Sequence, residues 1–128
     1  MSQVVLDSSI WIEYFRNSNT TISFQVDSLI DSGNIYTNEL ILAELVPFLK
    51  LKKQNQLIQI LESIECLKLN IDWKQLIDYQ TLIIRNGINR VGIPDLIIAQ
   101  NIIQYQATLF TLDKHFKLIS KFIKLSLF

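Results

Sequence analysis

Cysteine and histidine are nearly missing from this 128-residue chain, which carries one of each, Cys66 and His115. A single cysteine excludes an internal disulfide and fits a reducing compartment. Together the two residues are too few for a zinc site, which draws most of its ligands from these types. Net charge is absent as well, because twelve basic and twelve acidic residues cancel, with pI ≈ 6.6. A general nucleic-acid binder is usually basic, so any polyanion contact must rest on a local cluster or a bound cation. No apolar run approaches the length of a membrane span. Met1-Ser2-Gln3 lacks the positive region of a signal peptide, and Asp7 interrupts the apolar run that follows. A cytoplasmic location without membrane attachment is the expectation.

Apolar residues, by contrast, are plentiful at 49%, with no repeat or low-complexity stretch. Residues 1–128 read as one domain, large enough to bury roughly two-thirds of the unfolded surface. Val4–Leu6 is a short buried strand, and Ile10–Phe15 a short helix with a serine cap before it. Ile22, Val26, Leu29 and Ile30 recur at helical spacing, and Gly33 sits where a C-terminal cap belongs. Asn34–Thr37 is a second strand. The next helix starts near Asn38 and contains Pro47, whose missing N–H costs about 3 kcal/mol or a kink. A bend or break between Ala43 and Pro47 is therefore expected, with helix running on from Leu49 to Leu61 and Lys50, Lys52 and Lys53 exposed.

Cys66–Leu69 reads as a third strand. Asp72 with Gln75 three residues on matches a capping box for a helix through Leu76–Ile84, ended by Asn86-Gly87. Pro94 suits the first position of the following helix, which from Asp95 to Tyr105 is apolar on most of its circumference and so buried. Thr108–Leu112 is a strand, Lys114–Ser120 a helix, and Phe122–Phe128 a final alternating strand. Trp11 and Trp73 lie in apolar helical patterns and read as core. Strands alternating with helices define an α/β fold with a central, mostly parallel sheet flanked by helices on both faces. Ligands of such sheets bind beyond the carboxyl ends of the strands.

That rule draws attention to four acids. Asp7 ends the first strand and Asp113 follows the strand from Thr108, which puts both on one rim. Asp95 opens a helix feeding that strand, and Glu44 lies about a turn and a half into the helix after the second strand. Asp95 and Asp113 also make sense as helix-start residues without any chemistry. Gathered in one place, four carboxylates repel, each close pair at 4 Å by about 4 kcal/mol at an effective dielectric of 20. A divalent cation removes that penalty, and an all-oxygen set suits Mg2+ or Mn2+. Glu39, in the first turn of its helix, competes with Glu44 for this role. Glu44 is favoured because its flanks, Ala43 and Leu45, are apolar.

The motifs Val5-Leu6-Asp7-Ser8-Ser9-Ile10-Trp11-Ile12, Leu42-Ala43-Glu44-Leu45, Pro94-Asp95-Leu96-Ile97-Ile98-Ala99 and Thr111-Leu112-Asp113-Lys114-His115-Phe116 occur in this order. In them the chain resembles the PIN-domain family, in particular the short VapC-type toxin ribonucleases, over its whole length. The resemblance implies metal-dependent RNA cleavage by Asp7, Glu44, Asp95 and Asp113, with Asp7 and Asp95 the principal ligands of Mg2+ or Mn2+. It implies that Ser9 and Thr111 steady the acids through hydrogen bonds. Dimerisation and neutralisation by a small cognate antitoxin are implied too.

The chain departs from the family pattern at two places. His115 stands where members often carry another acid, and it reads as an exposed first-turn residue. Pro47-Phe48 stands where members often have glycine, which changes the wall beside Glu44. Arg85, Arg90 and Lys114 are candidate RNA contacts, since arginine and lysine meet phosphate, although such residues also serve as solubilising surface. Two other readings remain. A haloacid-dehalogenase-like phosphatase wants a second aspartate two residues after the first, where Ser9 stands. A decayed RNA- or protein-binding PIN domain would keep the fold and lose the metal.

Overall fold

The computed structural model describes residues 3–128, so the first two residues of the expected domain lie outside it. The chain runs β1 (Val4–Leu6), α1 (Ser8–Arg16), α2 (Thr20–Ser32), β2 (Ile35–Thr37), α3 (Glu39–Leu51) and α4 (Asn55–Glu62). It continues with β3 (Glu65–Cys66), α5 (Trp73–Arg85), α6 (Ile93–Gln104), β4 (Thr108–Phe110) and α7 (Lys114–Ser120). The strands form one parallel sheet in the order β3-β2-β1-β4. Alternation along β1 splits the interior into two cores. Val5 joins Leu109, Leu76, Ile83 and Leu96 on one face. Val4 and Leu6 join Trp11, Val26, Leu61 and Phe110 on the other. Helix α3 serves both, through Ile41 on the first face and Leu45 and Leu49 on the second.

Strand order fixes where a ligand can sit. The chain proceeds outward from β1 to β2 and β3, then returns to place β4 on the opposite side of β1. The connections therefore diverge between β1 and β4, and a crevice opens at their carboxyl ends. Asp7 follows β1 there, and its backbone N–H donates to the Phe110 carbonyl at 3.2 Å.

Several expected elements differ. Helix α3 is continuous through Pro47. The proline lies on the exposed face, as does Ala43, whose carbonyl loses its partner there and can turn to water. The break comes later, at Lys52–Gln54, where Lys53 has φ +54° and separates α3 from α4. The serine cap of α1 is instead Asp7, which accepts from Ile10 N–H. Pro94 takes the second position of α6, after Ile93. Strand β3 is two residues long, and β4 stops at Phe110.

The expected last strand is only a single parallel bridge, Leu109 to Leu127. A tight turn from Leu125 N–H to the Ile123 carbonyl (2.7 Å) takes its first half off the ladder. Its alternation survives as burial of Ile123 and Leu125 between exposed Lys124 and Ser126. Trp11 is fully buried as expected, but Trp73 is 61% exposed at the start of α5. Trp73 heads a stripe with Ile77 and Ile84 that no neighbouring element covers.

Half of the expected capping box at α5 is present. Asp72 Oδ1 accepts from Gln75 N–H at 3.1 Å. The reciprocal acceptor is Gln100 of α6, whose Oε1 takes the Asp72 N–H at 3.0 Å while its Nε2 donates to Gln75 Oε1 at 2.8 Å. A second buried amide pair lies nearby. Asn38, which caps α3 by accepting from Ile41 N–H, donates through Nδ2 to Asn101 Oδ1 at 3.1 Å. Asn101 Nδ2 in turn donates to the carbonyls of Leu67 and Lys68. These amides tie α6 to α3 and α5, and they interrupt what the sequence reads as an apolar helix.

Candidate active site

Asp7 is the most buried acid of the crevice, 4% exposed at the end of β1. Its carboxylate is held on both oxygens. Oδ1 accepts from Ser9 Oγ at 2.5 Å and from Ile10 N–H at 3.3 Å, and Oδ2 accepts from Thr111 Oγ1. Three donors fill three of a carboxylate's roughly four lone-pair positions. The two hydroxyls are themselves fixed, since Ser9 Oγ accepts from Leu112 N–H at 3.0 Å and Thr111 Oγ1 from Asp113 N–H at 2.9 Å. The loops after β1 and β4 are thereby stitched together around one anion.

Asp113 caps α7 through Oδ1, which accepts from His115 N–H at 2.9 Å. A cap on one oxygen leaves the other for a ligand, so the two readings of this residue coexist. Asp95 sits in the first turn of α6, where Oδ2 faces the Gly92 N–H at 3.4 Å. Glu44 lies on the exposed face of α3, beside apolar side chains of α1 and α3. Even so, it feels the charges of Asp95 and Asp7. Glu39 acts instead on the Cys66 thiol, at the other end of the sheet, whose pKa burial and that charge raise. Geometry thus separates the two glutamates by environment.

Burial raises the pKa of Asp7 most, against the three hydrogen bonds, with the Asp113 charge adding to the rise. For Glu44 burial again leads, followed by repulsion from Asp95 and Asp7. Asp95 is raised by burial and by Asp113, while the Gly92 N–H and His115 oppose the shift. The four acids therefore share one electrostatic neighbourhood. Among the described residues, no three acidic, histidine or cysteine side chains already close on one metal-sized point.

His115, expected as an exposed first-turn residue, stands instead beside two of the acids. It is half-buried in the first turn of α7, with Nδ1 3.6 Å from Asp95 Oδ2 and 3.7 Å from Asp113 Oδ1. The available signal was its place two residues beyond a capping aspartate. Arg85, Arg90 and Lys114 are all exposed. None of them pairs with the four acids among the described residues. Beside Glu44, a groove of about 490 Å³ runs between α1 and α3, lined in part by Ile12, Phe15, Phe48 and Leu57.

Asp7 and Asp113 follow the adjacent strands β1 and β4 at the switch point of a parallel sheet, the place where such folds bind ligands. The PIN domain sequence profile matches residues 4–121, and the chain belongs to that family, whose members are typically nucleases. Solved structures share the fold. VapBC2 from Rickettsia felis, bound to a DNA fragment from its promoter, is 22% identical with a TM-score of 0.76, covering 98% of this chain and 96% of that one. FitAcB from Neisseria gonorrhoeae is 22% identical with a TM-score of 0.74 and the same coverage, 98% and 96%. DNA-bound VapBC from Salmonella typhimurium is 14% identical with a TM-score of 0.77, over 100% and 98%. No curated protein matches the chain. No described helix is long and apolar enough to cross a membrane.

Proposed function

We propose that this chain is a divalent-metal-dependent endoribonuclease, the toxin of a VapBC-type toxin–antitoxin pair acting in the cytoplasm. The observation that carries this reading is the single crevice onto which Asp7, Glu44, Asp95 and Asp113 bring mutually repelling charge. The donor set fits a hard cation, Mg2+ or Mn2+, because Asp7 keeps one lone-pair position open and every acid contributes oxygen. When bound, such an ion polarises a phosphoryl oxygen and makes a coordinated water acidic enough to attack.

The chain's own residues do the rest. Ser9 and Thr111 hold the Asp7 carboxylate in one orientation. Glu44, its pKa raised by burial and by the charges of Asp95 and Asp7, is suited to take a proton from the attacking water. Arg85, Arg90 and Lys114 supply exposed cations for the RNA backbone. A cognate antitoxin and a second copy of the chain are the expected partners, and the groove beside Glu44 offers the former an apolar seat next to the acids.

The test is RNA cleavage that disappears in EDTA and returns with Mg2+ or Mn2+; cleavage that persists in EDTA contradicts the reading. A phosphatase of the haloacid-dehalogenase kind is disfavoured, because Ser9 spends its hydroxyl on Asp7 where that chemistry needs a carboxyl. A decayed binding domain is disfavoured by the presence of all four acids.

Thr111→Val removes one of the two hydroxyls that orient Asp7 while keeping side-chain shape. Loss of such a supporting contact costs roughly 10- to 100-fold in metal affinity or activity. The expected result is a loss in that range for both Mn2+ affinity and cleavage, with a thermal midpoint a few degrees below wild type, because Asp7 Oδ2 and the Asp113 N–H each lose a partner.

The raised pKa values also make a prediction for the metal-free chain. A carboxyl with a higher pKa folded than unfolded holds its proton more tightly in the native state. Its stabilising contribution is complete below the unfolded values, ordinarily 3.8 for Asp and 4.5 for Glu, and is lost as pH rises through the folded ones. In EDTA, wild type should therefore lose more stability than Asp95→Asn as pH rises from about 4 through the acid range. Mg2+ or Mn2+ should narrow the difference. Parallel pH profiles for the two proteins in thermal melts count against the assignment.

A further inference from the structure

We infer that Lys117, Lys121 and Lys124 extend the cation at Lys114 into a track along α7 that grips the phosphates of an RNA strand leaving the crevice. This inference rests on the nuclease reading above and carries it from the reacting phosphodiester to the strand beyond. The chain is neutral as a whole, but its charge is unevenly spread. After Asp113 come four lysines and no acidic side chain, which leaves eight basic against twelve acidic residues in 1–113. A neutral chain that holds a polyanion needs a local basic cluster. The last helix and the segment after it supply one.

Helical geometry lines the lysines up. At 3.6 residues per turn, Lys114, Lys117 and Lys121 fall within about 60° of arc. Phe116, Ile119 and Ile123 point the other way, into the core. The Lys121 N–H donates to the Leu118 carbonyl at 3.2 Å and the Ile123 N–H to the Ile119 carbonyl at 3.0 Å, which carries the turn past Ser120. All four lysines are exposed, and no carboxylate pairs with any of them among the described residues. Asp113 caps α7, so Lys114 stands at the crevice. From there the chain descends the side of the molecule, because Leu127 returns to run parallel to β4 beside Leu109. The rise from Lys114 to Lys121 is about 10 Å, leading away from acids that repel a phosphate strand. A lipid surface would need an apolar face of α7, and that face is packed in the core. Unpaired ammonium groups that begin beside a phosphodiester site suit a nucleic-acid backbone.

Lys117→Gln/Lys121→Gln/Lys124→Gln removes the track and leaves Lys114 and the acids in place. Single-turnover cleavage in Mn2+ of a single-stranded RNA long enough to run the length of α7 reads its effect. Three phosphate contacts on a single strand give a salt slope of about 2, or about 20-fold in affinity between 50 and 200 mM salt. At 50 mM salt the half-saturating protein concentration should therefore rise about 20-fold in the variant, and the gap should close toward 200 mM. The maximal rate and the positions cut should not change, because phosphate contacts carry no sequence information. Arginine at the same three positions should restore wild-type saturation. Lys50→Gln/Lys68→Gln/Lys74→Gln, which removes equal charge from other exposed positions, should leave it unchanged. Saturation unaltered in the α7 variant, or altered equally in the second one, overturns the track and leaves the nuclease reading intact. Unaltered saturation together with phosphatidylserine-vesicle binding that the α7 variant loses gives the stripe to a membrane instead. Wild type that cuts no RNA in Mn2+ or Mg2+ overturns both.

Discussion

Asp7→Asn is expected to lower RNA cleavage at least about a thousandfold while the protein stays folded. Asp7 is the one acid fixed on both carboxylate oxygens, at the centre of the contacts that join the β1 and β4 loops. Asparagine preserves the shape but removes the charge, and it places an amide N–H₂ where a hydroxyl donor now points. A lost metal ligand forfeits several kcal/mol of transition-state charge stabilisation, and each 1.36 kcal/mol is a factor of ten in rate. The hydroxyls of Ser9 and Thr111 can rotate to accept from the new amide, so the fold should survive. Single-turnover cleavage of RNA, alongside circular dichroism and a thermal melt, checks the result. Cleavage within about tenfold of wild type in the folded variant contradicts the assignment of Asp7 as a principal ligand.

Asn101→Leu is expected to produce the largest loss of stability, about 3 kcal/mol. Asn101 is 2% exposed and satisfies three groups at once: the Asn38 amide and the carbonyls of Leu67 and Lys68. Leucine fills similar volume but leaves those groups to be buried without a partner, at about 1–3 kcal/mol for each that water cannot reach. Gln104→Ala on the same helix loses only an exposed bond to the Asn70 carbonyl, and is expected to shift stability by less than about 0.5 kcal/mol. Urea denaturation of both variants reads the difference. Equal midpoints would mean that the amide pair contributes nothing. The pair also matters for chemistry, because Asn38 begins the helix carrying Glu44 and Asn101 lies on the helix carrying Asp95.

Legibility in the sequence followed the range of the forces involved. Strands β1, β2 and β4 and the caps at Gly33, Asp72 and Asp113 depend on local pattern and backbone chemistry, and they stand where the periodicity places them. The parallel sheet followed from alternation of element types, and the crevice from where β1 and β4 end. What failed was decided by tertiary context. Pro47 was expected to break its helix, yet it sits on an exposed face where the lost bond costs least. Trp73 was expected in the core because its neighbours are apolar, yet it faces outward. Phe122–Phe128 kept its alternation but not its ladder, since a turn at Ile123–Leu125 redirects the backbone.

The site divides along the same line. Asp7, Glu44, Asp95 and Asp113 could be singled out because strand ends and helix starts are local features, and the fold rule brings those positions to one rim. Their neighbours depended on side-chain directions that spacing does not encode. Glu44 was chosen for its apolar flanks; it stands on an exposed face beside an apolar groove, within the field of Asp7 and Asp95. His115 read as solvated surface, whereas the start of α7 turns it toward Asp95, twenty residues earlier in the chain. Gln100 and Asn101 lie within a helix read only as apolar, and they carry the amide contacts that position it.

The central claim is that the four acids serve a single cation basin. A crystal structure of the Mn2+-soaked protein, with anomalous differences collected at the manganese edge, tests it most directly. The account predicts an anomalous peak in the crevice between β1 and β4 within about 2.3 Å of oxygens from both Asp7 and Asp95. Manganese bound elsewhere, or Asp7 and Asp95 sharing no ion at saturating Mn2+, would contradict it.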